Sequence, residues 1–274
     1  MQIQISVYAF AFLLAGFLAK PASAQVAVPK PSAEDYDWEF GAVSWKPSPD
    51  LTIRTGPGGT DVDLIGTFGI EDKSFTDFRL VLKPVRKHKI RIQYLSITYA
   101  KDAVLNRTFT FAGNTYTVDA PASASLDWTL WQFGYEWDFV SNDYGFVGVI
   151  GEIKYNEVRA SLSSAALNVS SQMDTEAPIP AVGGIVRGYL VVPRRVSVTV
   201  EVTGIKVPDR FTFNRRLVEF HDSLADFDVY GMVNLSPHLG VRAGYHSLDV
   251  RYLVNDDAGT LKMKGPYIGA SVRF

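Results

Sequence analysis

Apolar and polar residues alternate along the chain from about residue 75 to its end, in runs separated by turn-forming residues. A period of two predicts β-strands that have one apolar face and one polar face. Each run is long enough to cross a bilayer as a tilted strand, which takes ~9–11 residues. The nine runs are 75–84, 89–101, 126–139, 145–158, 183–193, 196–207, 224–235, 240–253 and 261–274.

The connections between these runs alternate between short and long. The short ones are Val85–His88, Val140–Tyr144, Pro193–Arg195 and Ser236–Leu239. The long ones cover 102–125, 159–182 and 208–223, with a shorter one near 254–260. Short turns at one end and long loops at the other are typical of outer-membrane barrels.

Bacterial single-chain barrels have an even number of strands, so one more strand must come from 36–72. The candidates are 38–46 and 61–70. Either gives about ten strands, whereas both together, with 51–55 as a return strand, give about twelve. We predict an all-β protein, an antiparallel transmembrane β-barrel of about ten strands (8–12 possible), with 38–46 as the first strand and 47–73 as the first outer loop.

The N-terminal segment has the features of a secretory signal. Residues 5–19 form a short apolar stretch, and Ala22-Ser23-Ala24 supplies small residues at the positions that a signal peptidase reads. We expect cleavage after Ala24, a flexible periplasmic lead over 25–35 and a barrel over 36–274. No appended periplasmic domain is expected.

Composition narrows the possible functions. The chain has no cysteine, which excludes disulfides, thiolate metal ligands and a cysteine nucleophile. Its net charge of -2 gives no basic footprint for nucleic acid. Beyond the N-terminus no apolar run approaches ~18 residues, so no transmembrane helix is expected.

The chain ends in Gly269-Ala270-Ser271-Val272-Arg273-Phe274. In this ending a glycine is followed three positions later by an apolar residue and two positions after that by an aromatic residue. Together with the alternating runs, this ending resembles that of small Gram-negative outer-membrane β-barrels of the OmpA/OmpW kind. The resemblance implies an outer-membrane location in a Gram-negative bacterium. It also implies that Gly269, Val272 and Phe274 belong to the signal read by the barrel-assembly machinery.

Lipid offers no hydrogen-bonding partners, so the apolar face of each strand should point outward and the polar face into the lumen. In 126–139 this places Trp131, Phe133, Tyr135, Trp137 and Phe139 outside, and Gln132, Glu136 and Asp138 inside. The aromatics near run ends, Phe75, Phe78, Tyr94, Tyr99, Trp128, Trp137 and Phe139, are expected either in headgroup girdles or in general strand packing. The predicted lumen-lining charged network consists of Arg79, Arg91, Glu136, Glu152, Lys154, Arg187, Glu201, Asp228, Arg242, His246 and Arg273.

One pair in this network can be predicted from the register. If Pro193-Arg194-Arg195 is a three-residue connection, Val192 opposes Val196 and Arg187 opposes Glu201 on the inward face. Tyr189 would then oppose Thr199. We expect these side chains to fill much of a narrow interior.

The search for catalytic or metal chemistry gives one candidate, His246, which lies mid-strand and points inward. The neighbouring Ser247 points to the opposite face, so no histidine–serine pair is formed. His221, beside Asp222 and Ser223, falls in an outer loop, while His88 and His238 fall in short turns. The acids are too dispersed for a metal site, and no cofactor motif is present.

These observations predict a non-enzymatic barrel that is structural, or porin-like with a narrow or gated pore for small solutes. The alternatives are a surface-binding barrel that acts through loops 102–125 and 159–182, and a lipid-modifying enzyme that uses His246. The expected partners are outer-membrane lipids, lipopolysaccharide and the barrel-assembly machinery, with no nucleic acid, metal or cofactor.

Overall fold

The structure of the protein is a computed structural model that describes residues 35–56, 58–191, 195–206, 211–213, 216–218, 223–254 and 257–274. The expected signal peptide (1–24) and nearly all of the lead (25–35) lie outside these residues. So do Pro193, Arg194, His221 and Asp222.

Strands account for almost all the regular structure in the described part of the chain. In chain order the elements are β1 (Trp38–Trp45), β2 (Ser48–Arg54), β3 (Val62–Asp63), α1 (Leu64–Phe68), β4 (Phe75–Val85), β5 (His88–Val104), β6 (Phe109–Phe111), β7 (Asn114–Tyr116), β8 (Pro121–Asn142), β9 (Gly145–Ser164), β10 (Val169–Val191), β11 (Val196–Lys206), β12 (Phe211–Phe213), β13 (Arg216–Val218), β14 (Ser223–Asn234), β15 (Leu239–Val254) and β16 (Asp257–Arg273).

Ten of these strands form a closed antiparallel barrel, in the order β1, β4, β5, β8, β9, β10, β11, β14, β15 and β16. The barrel closes where β1 pairs with β16, from Glu39 opposite Arg273 to Trp45 opposite Tyr267. The predicted fold, strand count and first strand are confirmed. The twelve-strand alternative is wrong, because β2 pairs only with residues 258–264 of β16 and with β3, and 61–70 contains β3 and α1 rather than a crossing strand.

The prediction of a loop over 159–182 is wrong. β9 and β10 continue as a paired hairpin up to Ser164 opposite Val169. The turn occupies residues 165–168, where Asn168 has a positive φ of 52°. Small side chains such as Ala160 and Ser161 alternate between buried and exposed positions here, but their hydropathy contrast is too weak to reveal the period.

The expected hairpin within 102–125 is present as β6 and β7. Its two turn residues are Ala112 and Gly113, with φ of 46° and 77°, one position before the predicted Gly–Asn centre. Positive φ at both central residues is the requirement of a type I′ turn. The hairpin folds onto the barrel strands, since Phe109, Phe111 and Tyr116 are all buried.

The barrel's exterior is apolar over the part nearest the short turns, which is the periplasmic side in outer-membrane barrels. We call this zone the belt. Its exposed apolar side chains include Phe40, Phe78, Ile90, Trp131, Phe133, Tyr135, Trp137, Phe139, Val149, Ile153, Val182, Val186, Leu190, Val198, Val200, Val202, Phe227, Val233, Leu239, Tyr245, Ile268 and Val272. This face can contact lipid tails, because the backbone polar groups behind it are paired within the closed sheet.

Beyond the belt, β5, β8, β9, β10, β15 and β16 continue as an extension in which the polarity of the two faces is reversed. Outward positions become polar, for example Asp127, Arg159 and Asp174, while inward positions such as Leu126 and Leu162 become apolar and buried. An apolar inside and a polar outside suit a barrel wall surrounded by water.

The reversal corrects the interpretation of three aromatics. Phe75, Tyr99 and Trp128 point inward and are buried in the core of the extension, whereas Phe78, Trp137 and Phe139 are exposed on the belt. A girdle role is therefore wrong for the first three.

Two segments close the interior of the extension. The first runs through β2, β3 and α1 and buries Leu51, Ile53, Val62, Leu64 and Phe68. The second is the β6–β7 hairpin, whose Tyr116 hydroxyl lies 2.8 Å from the Leu162 carbonyl oxygen and 2.9 Å from Ser171 Oγ. Burial raises the pKa of the Tyr116 hydroxyl, which favours the protonated form that can donate.

Among the described residues, no helix is long and apolar enough to cross a membrane.

Candidate functional site: the charged interior of the barrel

The interior of the barrel behind the belt is lined by charged side chains. Strand alternation turns every second residue inward, and the structure places all eleven residues of the predicted network in buried positions. Asp138, which the sequence also put inside, is buried with them. Four further buried charges were missed by the prediction, namely Glu39, Asp77, Lys89 and Asp226. The last three could have been found, because each lies two residues along its strand from a predicted member of the network and so shares its inward face.

Arg91 lies at the centre of a cluster that crosses the barrel. Its guanidinium bonds to Glu201 on β11 and lies 3.3 Å from Glu136 Oε2 on β8. Arg79 Nη1 lies 3.8 Å from the same Glu201 carboxylate. Since β5 and β11 are not neighbours in the sheet, these ion pairs span the interior rather than follow its wall.

A second cluster surrounds Asp226 on β14. Its carboxylate bonds to Lys154 Nζ and, at 2.7 Å, to His246 Nε2. Lys154 Nζ also lies 3.1 Å from Glu152 Oε1. The ring of Trp45 packs against that of His246, with centroids 4.7 Å apart, so this cluster borders the apolar core of the extension.

The end of the interior near the short turns is also occupied. Lys89 bonds to Glu136 and, at 2.9 Å, to Asp138 Oδ2, and its Nζ lies 3.8 Å from the centroid of the Phe146 ring. On the other wall, Arg273 bonds to Glu39 and to Asn234 Oδ1. The cationic side chains at this end therefore contact carboxylates and, in the case of Lys89, also the face of an aromatic ring.

The predicted pairing of Arg187 with Glu201 is wrong by two residues. Both side chains point inward, but Arg187 is opposite Thr199 and donates from Nε to Thr199 Oγ1 at 2.9 Å. Glu201 is opposite Ile185, and Tyr189 is opposite Ser197. The cause is an irregularity between Tyr189 and Val191, which shifts the register next to the turn.

The two signs of charge nearly cancel inside the barrel. The buried charged residues in the described ranges comprise seven arginines and lysines, eight aspartates and glutamates, and His246. A mixed interior of this kind does not favour ions of one sign. One void among Arg79, Arg91, Gln132 and Glu152 measures about 10 Å³, the size of a single water site.

His246 lies in an enclosed, hydrogen-bonded position. The imidazole is buried, its Nε2 is bonded to Asp226, and Ser247 lies on the other face of the sheet. Over the described ranges, no group of three or more histidines, aspartates or glutamates is arranged to hold a metal ion.

Similar architectures occur among solved structures. The outer membrane protease OmpT from Escherichia coli aligns with a TM-score of 0.57 at 7% identity, covering 88% of this chain and 98% of that one. Ail of Yersinia pestis, crystallised with the heparin analogue sucrose octasulfate, gives 0.39 at 8% identity, with coverage of 86% and 98%. The Pseudomonas putida toluene transporter TodX gives 0.35 at 7% identity, with coverage of 88% and 90%.

No protein-family model and no curated protein matches the sequence. The OmpT alignment therefore shows the fold alone, and it agrees with the closed ten-strand barrel. The chain has the fold of the Gram-negative outer-membrane β-barrel proteins.

Proposed function

We propose that the protein is a non-enzymatic outer-membrane barrel with a structural role, closed to solutes, which anchors a rigid extension on the extracellular side. The observation that carries this proposal is that the interior is filled at both levels. Ion-paired side chains occupy it behind the belt, and an apolar core fills it in the extension.

The size of the barrel supports the same function. Wide aqueous channels belong to barrels of ~16–18 strands, while in barrels of about eight strands side chains can fill the interior. A solute crossing this ten-strand barrel would have to separate Arg91 from Glu201 and displace apolar residues such as Leu51 and Phe68. Leaving buried charges unpaired costs about 3–5 kcal/mol per broken pair.

The partners that belong to this proposal are outer-membrane lipids, lipopolysaccharide and the barrel-assembly machinery. It includes no cofactor, metal or nucleic acid. Gly269, Val272 and Phe274 remain the proposed assembly signal.

Single-channel recording in planar bilayers tests closure. We expect no stepwise conductance from the wild type, nor from a variant in which 106–118 is replaced by a short glycine–serine linker, because the ion pairs behind the belt remain. Heat-modifiable migration on gels verifies that both proteins are folded. Reproducible stepwise conductance of the wild type, whatever its size, would contradict the proposal.

Surface binding through the extension is the second candidate. A shallow groove of about 560 Å³ lies on its outer face, lined by Lys101, Asp102 and the small residues Ala100, Ser123, Ala124, Ser125, Ser161 and Ser163. Adherence of expressing cells to immobilised polysaccharides tests this role. Equal adherence by the wild type and by Ser125→Trp/Ser161→Trp, which fills the groove, would count against it.

The lipid-modifying alternative has a direct test. Because His246 is enclosed and bonded to Asp226, we expect lipid A from cells that express His246→Ala to match lipid A from wild-type cells by mass spectrometry. A lost acyl or headgroup modification in the variant would favour the enzyme.

A further inference from the structure

Two lysines stand at the upper border of the belt on the β15–β16–β2 side of the barrel. Lys264 on β16 lies between Ser247 of β15 and Ser48 of β2 in the sheet register. Lys46 follows β1, and its backbone N–H donates to the Pro266 carbonyl oxygen at 3.0 Å. Both side chains are exposed on the outer face.

The height of Lys264 corresponds to the headgroup layer of the outer leaflet. Below it on the same face, β16 presents Pro266, Ile268, Ala270, Val272 and Phe274. The stretch from Phe274 to Lys264, at ~3.4 Å per residue and a tilt of ~40°, spans about 25 Å along the barrel axis. This equals the usual height of the apolar band, so the ammonium group lies where lipid tails give way to headgroups.

Neither of these lysines forms an ion pair in the described part of the chain. Within the described ranges, neither Lys46 nor Lys264 has a carboxylate within 4 Å. Lys262 differs, because Asp50 and Asp249 flank it in the register, farther from the membrane. Ser48 donates to Asp72 at 3.0 Å, so that carboxylate lies on the β2 side of Lys264. The Ser247 hydroxyl on the β15 side is the neighbouring donor for an anion.

The opposite side of the barrel at this height is acidic. There Asp127, Glu157, Asp174 and Glu176 surround the single Arg159, on the outer faces of β8, β9 and β10. An anion at the membrane surface is therefore attracted less on this side of the barrel than on the lysine side.

We propose that Lys46 and Lys264, with the Ser247 hydroxyl, bind a phosphate group of the phosphorylated glycolipid in the outer leaflet. The exposed Ile268, Pro266 and Tyr245 directly below would contact its acyl chains. A phosphate ester offers several acceptor oxygens to two ammonium groups, and apolar contacts below favour a lipid over free phosphate. The site requires a membrane-embedded barrel but not a closed one, so it would survive the finding of a conducting pore.

Native mass spectrometry of the protein in detergent, titrated with bisphosphorylated lipid A, tests the site. Each basic residue near a charged surface contributes about 1 kcal/mol, or about a fivefold change in affinity. We expect Lys46→Gln/Lys264→Gln to bind about 25-fold more weakly than the wild type. The matched control is Arg86→Gln/Lys87→Gln, which removes two charges from the opposite, short-turn end of the barrel and should bind like the wild type.

Two further probes separate the sources of the phosphate. Dephosphorylated lipid A should bind the wild type as weakly as it binds the lysine variant, and millimolar inorganic phosphate should not displace lipid A. Equal losses in the lysine variant and the control, undiminished binding of dephosphorylated lipid A, or displacement by inorganic phosphate would each overturn the proposal. Heat-modifiable migration verifies that every variant is folded.

Discussion

Asp226 is the side chain on which the second interior cluster depends, because Lys154 and His246 both bond to it. Its replacement by asparagine removes the negative charge that both share and leaves Lys154 with Glu152 as its carboxylate partner. A buried cation that loses its counter-charge is far more costly than an exposed one, since no water replaces the lost interaction.

We therefore expect Asp226→Asn to lower the free energy of unfolding by about 3 kcal/mol. Urea unfolding in detergent, followed by tryptophan fluorescence, measures this loss. The matched control is Asp249→Asn, which breaks the exposed pair with Arg251 (3.4 Å) and should cost no more than ~1 kcal/mol. Equal losses in both variants would contradict a network held by buried charge.

The sequence predicts which way a residue points better than it predicts its partner. The alternation of neighbouring residues correctly predicted that Arg187 and Glu201 point inward, because the irregularity in β10 lies beyond Arg187, next to the turn. Their pairing was wrong because the register depends on the irregularity beside the turn, between Tyr189 and Val191, which leaves no hydropathy signal. Contacts across the interior, such as Arg91 with Glu201, depend on barrel closure, and no local pattern encodes it.

At the scale of the elements, the backbones of β1 and β16 approach each other closely at Gly269. A Cβ at this position would lie 2.1 Å from the Ala42 carbonyl oxygen and 2.5 Å from Val43 Cα. Phe274 continues the pairing, since its N–H donates to the Trp38 carbonyl at 3.0 Å and its ring stacks on that of Trp38 at 4.4 Å. Gly269 is thus a sequence-predicted assembly residue that also has a packing role where the barrel closes.

We expect Gly269→Ala to prevent closure of the barrel, both in cells and during refolding into detergent micelles. Loss of the heat-modifiable gel band measures this. Gly151→Ala is the matched control, because the added methyl group would meet no atom within 4 Å. A role in the assembly signal alone predicts a different result, namely failure in cells but normal refolding in detergent.

The elements were predictable where side chains are large. The run at 126–139 and strand 38–46 were recovered because tryptophan, phenylalanine and valine contrast sharply with charged neighbours. The upper halves of β9 and β10 were missed, because alanine, serine and proline there give little contrast. Pro178 and Pro180 also resemble loop signals, although proline is tolerated at the edge of a sheet.

On the scale of the whole molecule, the period of two identifies two faces but not the solvent that each one meets. The alternation alone predicts that the apolar face is the outside along every run. On β8 the apolar residues Trp131–Phe139 are outside, while Leu126, Trp128 and Leu130 on the same strand are inside. The surroundings of the outer face change from lipid to water partway along the strand. The assignment of the apolar face to the outside therefore cannot hold for its full length.

This reversal predicts how one substitution acts at two heights on a single strand. Val149 and Ser161 both point outward on β9, Val149 within the belt and Ser161 in the extension. A lysine at the bilayer midplane costs about 2–4 kcal/mol on the lipid face of a barrel. We expect a loss of that size for Val149→Lys and a change within about 0.5 kcal/mol for Ser161→Lys, because water already surrounds that position. Urea titrations of both variants folded in phospholipid vesicles measure the difference. If Ser161→Lys were as costly as Val149→Lys, the extension would lie in lipid, and the membrane would reach beyond the belt.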